Sequence, residues 1–350
     1  MIASYKDMRI FKKYILLAVA LMATAAISCK KDEETEALPS LDGSVYFSLP
    51  KYVRASQKIT CRPHGAIHPD GKGIGYYWRV PVISEKADTV KKENQDVEPA
   101  FAFSAPIDTI GSFTVTCTAF ATGYYSISTS ETFTVVNPAM GTSLSDTGIS
   151  MDDPHFTDTR TSSPPNENVY FTATAGGKTW MRNNLAWTGA GIPLEGCMVM
   201  SYPMGRFYTW EEAMSACPDG WDLPSDQDWA ALAGEAAGKE YGTLTTFEGA
   251  AGPLMVSACF NGDPMWEFWP EVKKTDKVGF AAIPAGYATL SGERATFSGL
   301  NNYAAFWTST EDPSDSGKAV YRYINVNRND IYVGKGDKTS FAASVRCVKK

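Results

Sequence analysis

The residues best suited to chemistry lie in GDPMWEFWP, Gly262 to Pro270. Trp266, Phe268 and Trp269 fall in a loop whose backbone is restricted by Asp263-Pro264 and Pro270. Exposed rings on such a loop can stack on the apolar face of a sugar, with Asn261, Asp263 and Glu267 binding its hydroxyls. Core packing is the commoner use of Trp and Phe at alternating positions, so the two readings compete. Glu311, Asp312 and Asp315 in TEDPSDSG offer oxygen ligands suited to a hard cation such as calcium. A solvated acidic turn is the stronger reading of that segment, and no metal site is assigned.

Catalytic patterns are absent. There is no G-x-S-x-G elbow, no H-E-x-x-H, no phosphate loop and no dinucleotide fingerprint. Among the three histidines, His64 and His68 lie four apart after Cys61, but Pro63, Gly65 and Pro69 argue against a helix that would align them. His155 has no nucleophile near it in the sequence. The expectation is a protein that is not an enzyme and carries no cofactor.

The elements that must position these residues are read from the N-terminus. Lys6, Arg9, Lys12 and Lys13 precede an apolar run from Ile15 to Ile27, the pattern of an export signal, too short to span a bilayer comfortably. Met8 is an alternative start. Ala26-Ile27-Ser28-Cys29 resembles a lipoprotein box, with Ala26 where Leu is usual, which makes Cys29 the lipidated first residue of the mature chain. The KKDEE run after it resembles the tethers of Bacteroidetes-type surface lipoproteins. These features imply an outer-membrane, lipid-anchored protein on the cell surface, attached to the membrane through its lipid. Residues 1–28 carry four basic side chains and one acidic one, so the formal charge of -7 becomes about -10 once they are removed. That argues against a nucleic-acid partner, which would want a basic stripe.

At 350 residues, with 44% hydrophobic side chains, the chain is long enough for two folded units. From Leu41 the sequence alternates in short runs (SVYFSL, QKITCRP, IGYYWRVPV, AFAFSA, SFTVTCTAFA, TSETFTVV), which predicts an antiparallel β-sandwich over 41–137. Its last segment is similar to the ending of immunoglobulin-like and PKD-like domains. Residues 138–167 read as a Pro- and Ser/Thr-rich linker. Beyond it, VYFTATAGGKTWM predicts a hairpin at Gly176-Gly177, and the remainder reads as an α+β unit with long loops.

Six cysteines follow Cys29, in an exported context that permits disulfides. Cys61 and Cys117 lie in alternating patterns with Trp78 between them, which suits a bridge across a sandwich packed on a Trp. The pairing of Cys197, Cys217, Cys259 and Cys347 stays open on pattern alone. No C-x-x-C spacing points to zinc or redox chemistry.

In GRFYTWEEAMSACPDGWDLPSDQDWAAL, Gly205 to Leu232, a short helix places Trp210, Ala213, Met214 and Cys217 on one face. Pro218 stops it, Trp221 and Leu223 return to the core, and Ser225 with Asp228 caps a second helix. This block, with KTWMRNNLAW, GFAAIPAGY, AFWTSTE and SVRCVKK, resembles the Fibrobacter succinogenes major paralogous domain family over 168–350. Asp222 stands where that family usually has a basic or His residue. The resemblance implies a C-type lectin-like fold, a bridge from Cys217 to Cys347, which leaves Cys197 and Cys259 as a candidate pair, and scaffold roles for Tyr287 and Trp307. The EPN, QPD and WND patterns of calcium-dependent sugar binding are absent. Formylglycine-generating enzymes share the lectin-like fold and use a cysteine pair, but the surroundings of Cys197 and Cys259 do not resemble theirs. The whole is an N-terminal all-β immunoglobulin-like sandwich followed by an α+β C-type lectin-like domain. Its expected role is non-catalytic adhesion to, or recognition of, a glycan or protein, with a structural subunit of a surface appendage or envelope assembly as the alternative.

Overall fold

A computed structural model describes residues 37–80, 86–89, 100–106, 110–136, 149–150, 152–160 and 168–350. The leader, Cys29, most of the 29–40 tether and most of the 138–167 linker lie outside the described residues. No described helix is long and apolar enough to cross a membrane.

Among the described residues of the first half, the regular structure is all β. Its strands are β1 (Asp42–Tyr46), β2 (Tyr52–Arg54), β3 (Lys58–Cys61), β4 (His64–Ile67), β5 (Gly75–Arg79), β6 (Lys86–Thr89), β7 (Phe101–Ser104), β8 (Gly111–Phe120) and β9 (Ile127–Val136). They form a five-stranded sheet in the order β2-β9-β8-β5-β6 and the two-stranded sheets β1-β4 and β3-β7. Alternation puts Val115, Cys117 and Ala119 of β8 inside. Its outward hydroxyls pair with those of β9: Ser112 with Thr134, Thr116 with Ser130, Thr118 with Ser128. Such cross-strand pairs hold the register. Inside, Trp78 stacks on Phe101 with centroids 5.0 Å apart and takes the edge of Phe47 at 5.1 Å.

The bridge expected between Cys61 and Cys117 is not made. In register, Cys61 lies opposite Phe101 and Cys117 opposite Trp78, so both flank the stacked rings. Burial pushes the Cys61 thiol up to about 11.

The second half contains β10 (His155–Thr157), β11 (Val169–Ala175), β12 (Lys178–Met181), β13 (Ile192–Pro193), β14 (Arg206–Phe207), β15 (Trp221–Asp222), β16 (Cys259–Phe260), β17 (Asp263–Pro264), β18 (Tyr287–Ser291), β19 (Arg294–Ser298), β20 (Tyr303–Glu311), β21 (Lys318–Asn325), β22 (Ile331–Asp337), β23 (Phe341–Ala342) and β24 (Val348–Lys349). Its larger sheets run β10-β11-β12-β24-β15, β20-β21-β22 and β19-β18-β23. The hairpin predicted at Gly176-Gly177 joins β11 to β12. The last strand sits between β12 and β15, so the chain end is built into the sheet. The helices longer than four residues are Trp210–Ala216 and Asp226–Ala237. The described chain is therefore mostly β, and the α contribution expected here is small.

Both helices begin with a capping box. Glu212 N donates to Thr209 Oγ1 at 3.3 Å while Thr209 N donates to Glu212 Oε2 at 2.8 Å; Asp228 N and Ser225 N make the same exchange at 3.2 and 2.8 Å. The first helix ends before Pro218, and its Met214 is half exposed, so the apolar face is narrower than its spacing predicted. The second ends at Gly238, whose φ of 69° is the left-handed cap that glycine favours. Cys217, at the end of the first helix, is joined to Cys347 before β24, with Cα atoms 5.9 Å apart. That pairing is as the resemblance implied. Asp226 opens the second helix and grips Arg322 of β21 by two bonds of 2.6 and 2.8 Å, both side chains being buried.

Each half has its own core, and one smaller cluster joins them. Val136, at the end of β9, packs in a cluster with Leu194, Met200, Met265 and Ala342, and Tyr52 lies edge-on to Phe260 at 6.5 Å. At the rim, Lys51 Nζ pairs with Glu195 at 2.7 Å.

Candidate recognition cleft

The segment singled out for binding begins as a tight hairpin. Cys259 pairs with Pro264 and Phe260 with Asp263, leaving Asn261-Gly262 as a two-residue turn. Both turn residues have positive φ, 51° and 89°, as Asn-Gly hairpin turns require. The turn carries Asn261 back to the first half, where its Nδ2 donates to Val135 O at 2.9 Å. Its Oδ1 is buried without a hydrogen-bond partner.

Trp266 is a correction. It is 2% exposed, its Nε1 donates to Ala282 O at 3.1 Å, and it packs in the main core of the second half. An indole with its N–H satisfied inside the core has no face left for a ligand. Burying it anchors the next turn outward. Glu267 N donates to Asn301 O at 2.8 Å, Val272 N to Trp269 O at 3.3 Å, and Val272 is buried. Between these anchors Glu267 and Trp269 are exposed and Phe268 is 84% exposed.

Beside this loop is a cleft of about 310 Å³. Asn261, Asp263, Phe260 and Asn301 line it from the second half, and Tyr52, Ser112 and Thr134 line it from the first, with Met200, Met204 and Leu300 supplying apolar wall. Asn261 and Asp263 thus meet in one cleft, Glu267 and Trp269 stand on the adjoining loop, and Trp266 drops out. Burial raises the Tyr52 phenol, which stays neutral and able to donate. The lining holds aromatic walls, amides, hydroxyls and one carboxylate, a set that binds polyols or peptides. It places no nucleophile beside a base. Tyr52, Ser112 and Thr134 were beyond sequence reasoning because they are more than 120 residues away from Asn261; the Asn-Gly pair between short apolar runs was the legible signal for the hairpin.

The calcium candidates do not converge. Asp312 is held by Lys335 at 2.8 Å, Asp315 by Lys318 at 2.9 Å and Glu311 by Lys338 at 2.9 Å. Each carboxylate already has an ammonium group where a cation would sit. Among the described residues no group of three or more His, Cys, Asp or Glu could hold a metal ion. Cys197 is buried, with its Sγ 3.4 Å from Glu195 O, and the structure does not join it to Cys259. His68 is buried against Tyr124 at 4.6 Å and accepts from Asp70 N, a packing role.

These acidic turns make the fold sensitive to acid. Hydrogen bonds from Lys335 and Ser314 hold Asp312 down at about 2, and the N–H and hydroxyl groups of Thr339 and Ser340 do the same for Asp337. Both lie below their unfolded value of 3.8, so the stability they contribute is present above pH 4 and is lost as pH falls from about 4 to 2. Thermal melts between pH 6 and 2 should show this, and Asp337→Asn should flatten the acid limb; an unchanged limb would count against the assignment.

The Fibrobacter succinogenes major domain model matches residues 173–349. No curated protein matches the chain. Solved structures with local likeness include a superoxide reductase (neelaredoxin) from Ignicoccus hospitalis, at 12% identity and a TM-score of 0.22 over 27% of this chain and 80% of that one. CopC from Methylosinus trichosporium is similar at 17% identity and a TM-score of 0.19, over 27% and 95%. Likeness at that level bears on neither fold nor function. The family match spans half of the chain, from β11 through the hairpin of the candidate cleft to β24, and the chain belongs to the Fibrobacter succinogenes major domain family.

Proposed function

We propose that this is a non-catalytic surface lipoprotein, anchored in the outer membrane through Cys29, that recognises a glycan or protein. In this reading an immunoglobulin-like first half presents a C-type lectin-like second half, and the cleft between them receives the ligand. The observation that carries it is the meeting of Asn261 and Asp263 in a walled cleft beside a loop that displays Phe268 and Trp269. Large exposed aromatics on a loop held from both ends are a costly arrangement unless a ligand covers them. Because Tyr52, Ser112 and Thr134 line the cleft, the first half is part of the site and more than a spacer.

Glycan and protein arrays probed with the full chain, in calcium and in chelator, test this. Binding should be independent of calcium and should weaken about tenfold or more in a Phe268→Ala/Trp269→Ala variant. No binding on any array would sink the recognition reading. Cys29→Ala should release the protein from membranes, and retained lipid labelling would refute the anchor. The strong exposure of Phe268 also favours the alternative, a structural subunit of a surface appendage or envelope assembly. Stoichiometric co-purification with other envelope proteins would select it.

A further inference from the structure

A second concave surface lies on the sheet β20-β21-β22. Alternation puts Tyr321 and Tyr323 of β21 on one face, with Arg322 between them turned inward to Asp226. In register, Tyr323 is opposite Tyr332 of β22, and Tyr321 is opposite Gly334. A side chain at Gly334 would meet the Tyr321 ring at 2.2 Å, so the glycine is what lets that ring lie across β22. The rings form a connected stack: Tyr332 to Tyr323 at 5.2 Å, Tyr323 to Tyr303 at 4.9 Å, Tyr303 to Tyr287 at 5.3 Å, Tyr287 to Phe341 at 5.4 Å and Phe341 to Tyr321 at 4.6 Å. All six are half-buried rather than enclosed. They flank a cleft of about 410 Å³ lined by Tyr287, Tyr303, Tyr321, Phe341, Asn302 and Gly299.

Nothing charged lines this cleft. Burial raises Tyr303 and Tyr321, so their phenols remain neutral at any physiological pH. An anionic ligand would find no cation here, and a purely apolar one would strip water from phenol and amide groups without replacing their hydrogen bonds. A ligand with a flat apolar face, a rim of hydroxyls and no charge satisfies both halves of the lining.

We propose that the cleft of Tyr287, Tyr303, Tyr321 and Phe341, with Asn302 at its rim, is a calcium-independent binding site for a neutral saccharide unit. It rests on the recognition reading and adds to it a ligand class and a second site, which adjoins the Asn261–Asp263 cleft at the Gly299–Asn302 turn but shares no lining residue with it. Ring packing that is complete without ligand means the site is formed in advance, so little ordering opposes binding.

The test uses the full chain against neutral oligosaccharides built from glucose, galactose or mannose, with a sialylated oligosaccharide as the charged control. Binding is read by calorimetry and by shifts of tyrosine ring resonances, in the presence of chelator. The expected result is binding of at least one neutral oligosaccharide, little affinity for the sialylated one, and a loss of about tenfold in Tyr321→Ala and Asn302→Ala. Tyr303→Phe keeps the ring but removes the hydroxyl that bonds Tyr321; it should weaken binding, and a far-UV circular dichroism spectrum that matches the wild type guards against misfolding. Absence of neutral-sugar binding overturns the proposal but leaves recognition of a protein standing. Sugar binding that survives these substitutions and is lost in Asp263→Ala overturns it as well, by placing the sugar in the other cleft.

Discussion

Replacing Cys217 and Cys347 together by alanine is expected to destabilise the second half by about 3–5 kcal/mol. The bridge spans 130 residues of sequence, and opening it returns to the unfolded chain the conformational freedom of a loop of that length. The native state loses as well, because Cys347 is fully buried and joins the end of the first helix to β24, which itself holds β12 and β15 together. Denaturant titration followed by tryptophan fluorescence checks this, with Trp180 and Trp229 reporting from the affected core. The reduced wild type should match the double variant. Equal midpoints for oxidised and reduced protein would show that the sheet closes without the bridge.

Arg322→Ala or Asp226→Ala is expected to cost about 3–5 kcal/mol, because each leaves the other charge buried without its partner. Arg322 bonds both oxygens of Asp226, donates to Thr245 O at 2.5 Å and lies 3.7 Å over the Phe247 ring. Asp226 also accepts from Leu244 N at 2.7 Å, so one ion pair fastens the helix, the loop after it and the sheet. Replacing both with apolar residues of similar volume should cost much less than either single change. A cost below about 1 kcal/mol for the single variants, as exposed ion pairs give, would refute this role.

What could be read in advance divides by distance along the chain. The Ser225–Asp228 cap, the stop at Pro218 and the Gly176-Gly177 hairpin were legible because their partners lie within four residues. The strand alternation of the first half was legible for the same reason, since neighbouring side chains face opposite ways whatever they pack against. Trp266 was not, because WEFW spacing describes a core strand and an exposed loop equally well. Its burial follows from a carbonyl at Ala282 and a core assembled from distant segments. The acidic turn read as solvated more readily than as a calcium site, but nothing local showed that Lys335 of β22 and Lys338 after it pair with its carboxylates. Cys61 and Cys117 had the spacing of a bridge, but the structure leaves them unbridged beside the Trp78–Phe101 stack.

The sequence by itself therefore determined the alternating strands of the first half, the helix caps and the family of the second half, since these depend on short-range hydrogen bonds and on the order of local motifs. Only the tertiary structure decided which aromatics face solvent, which carboxylates are already neutralised, and that Tyr52, Ser112 and Thr134 complete a cleft with Asn261 and Asp263. Burial and charge pairing are set by groups far apart in the chain, and no local pattern records which of them will meet.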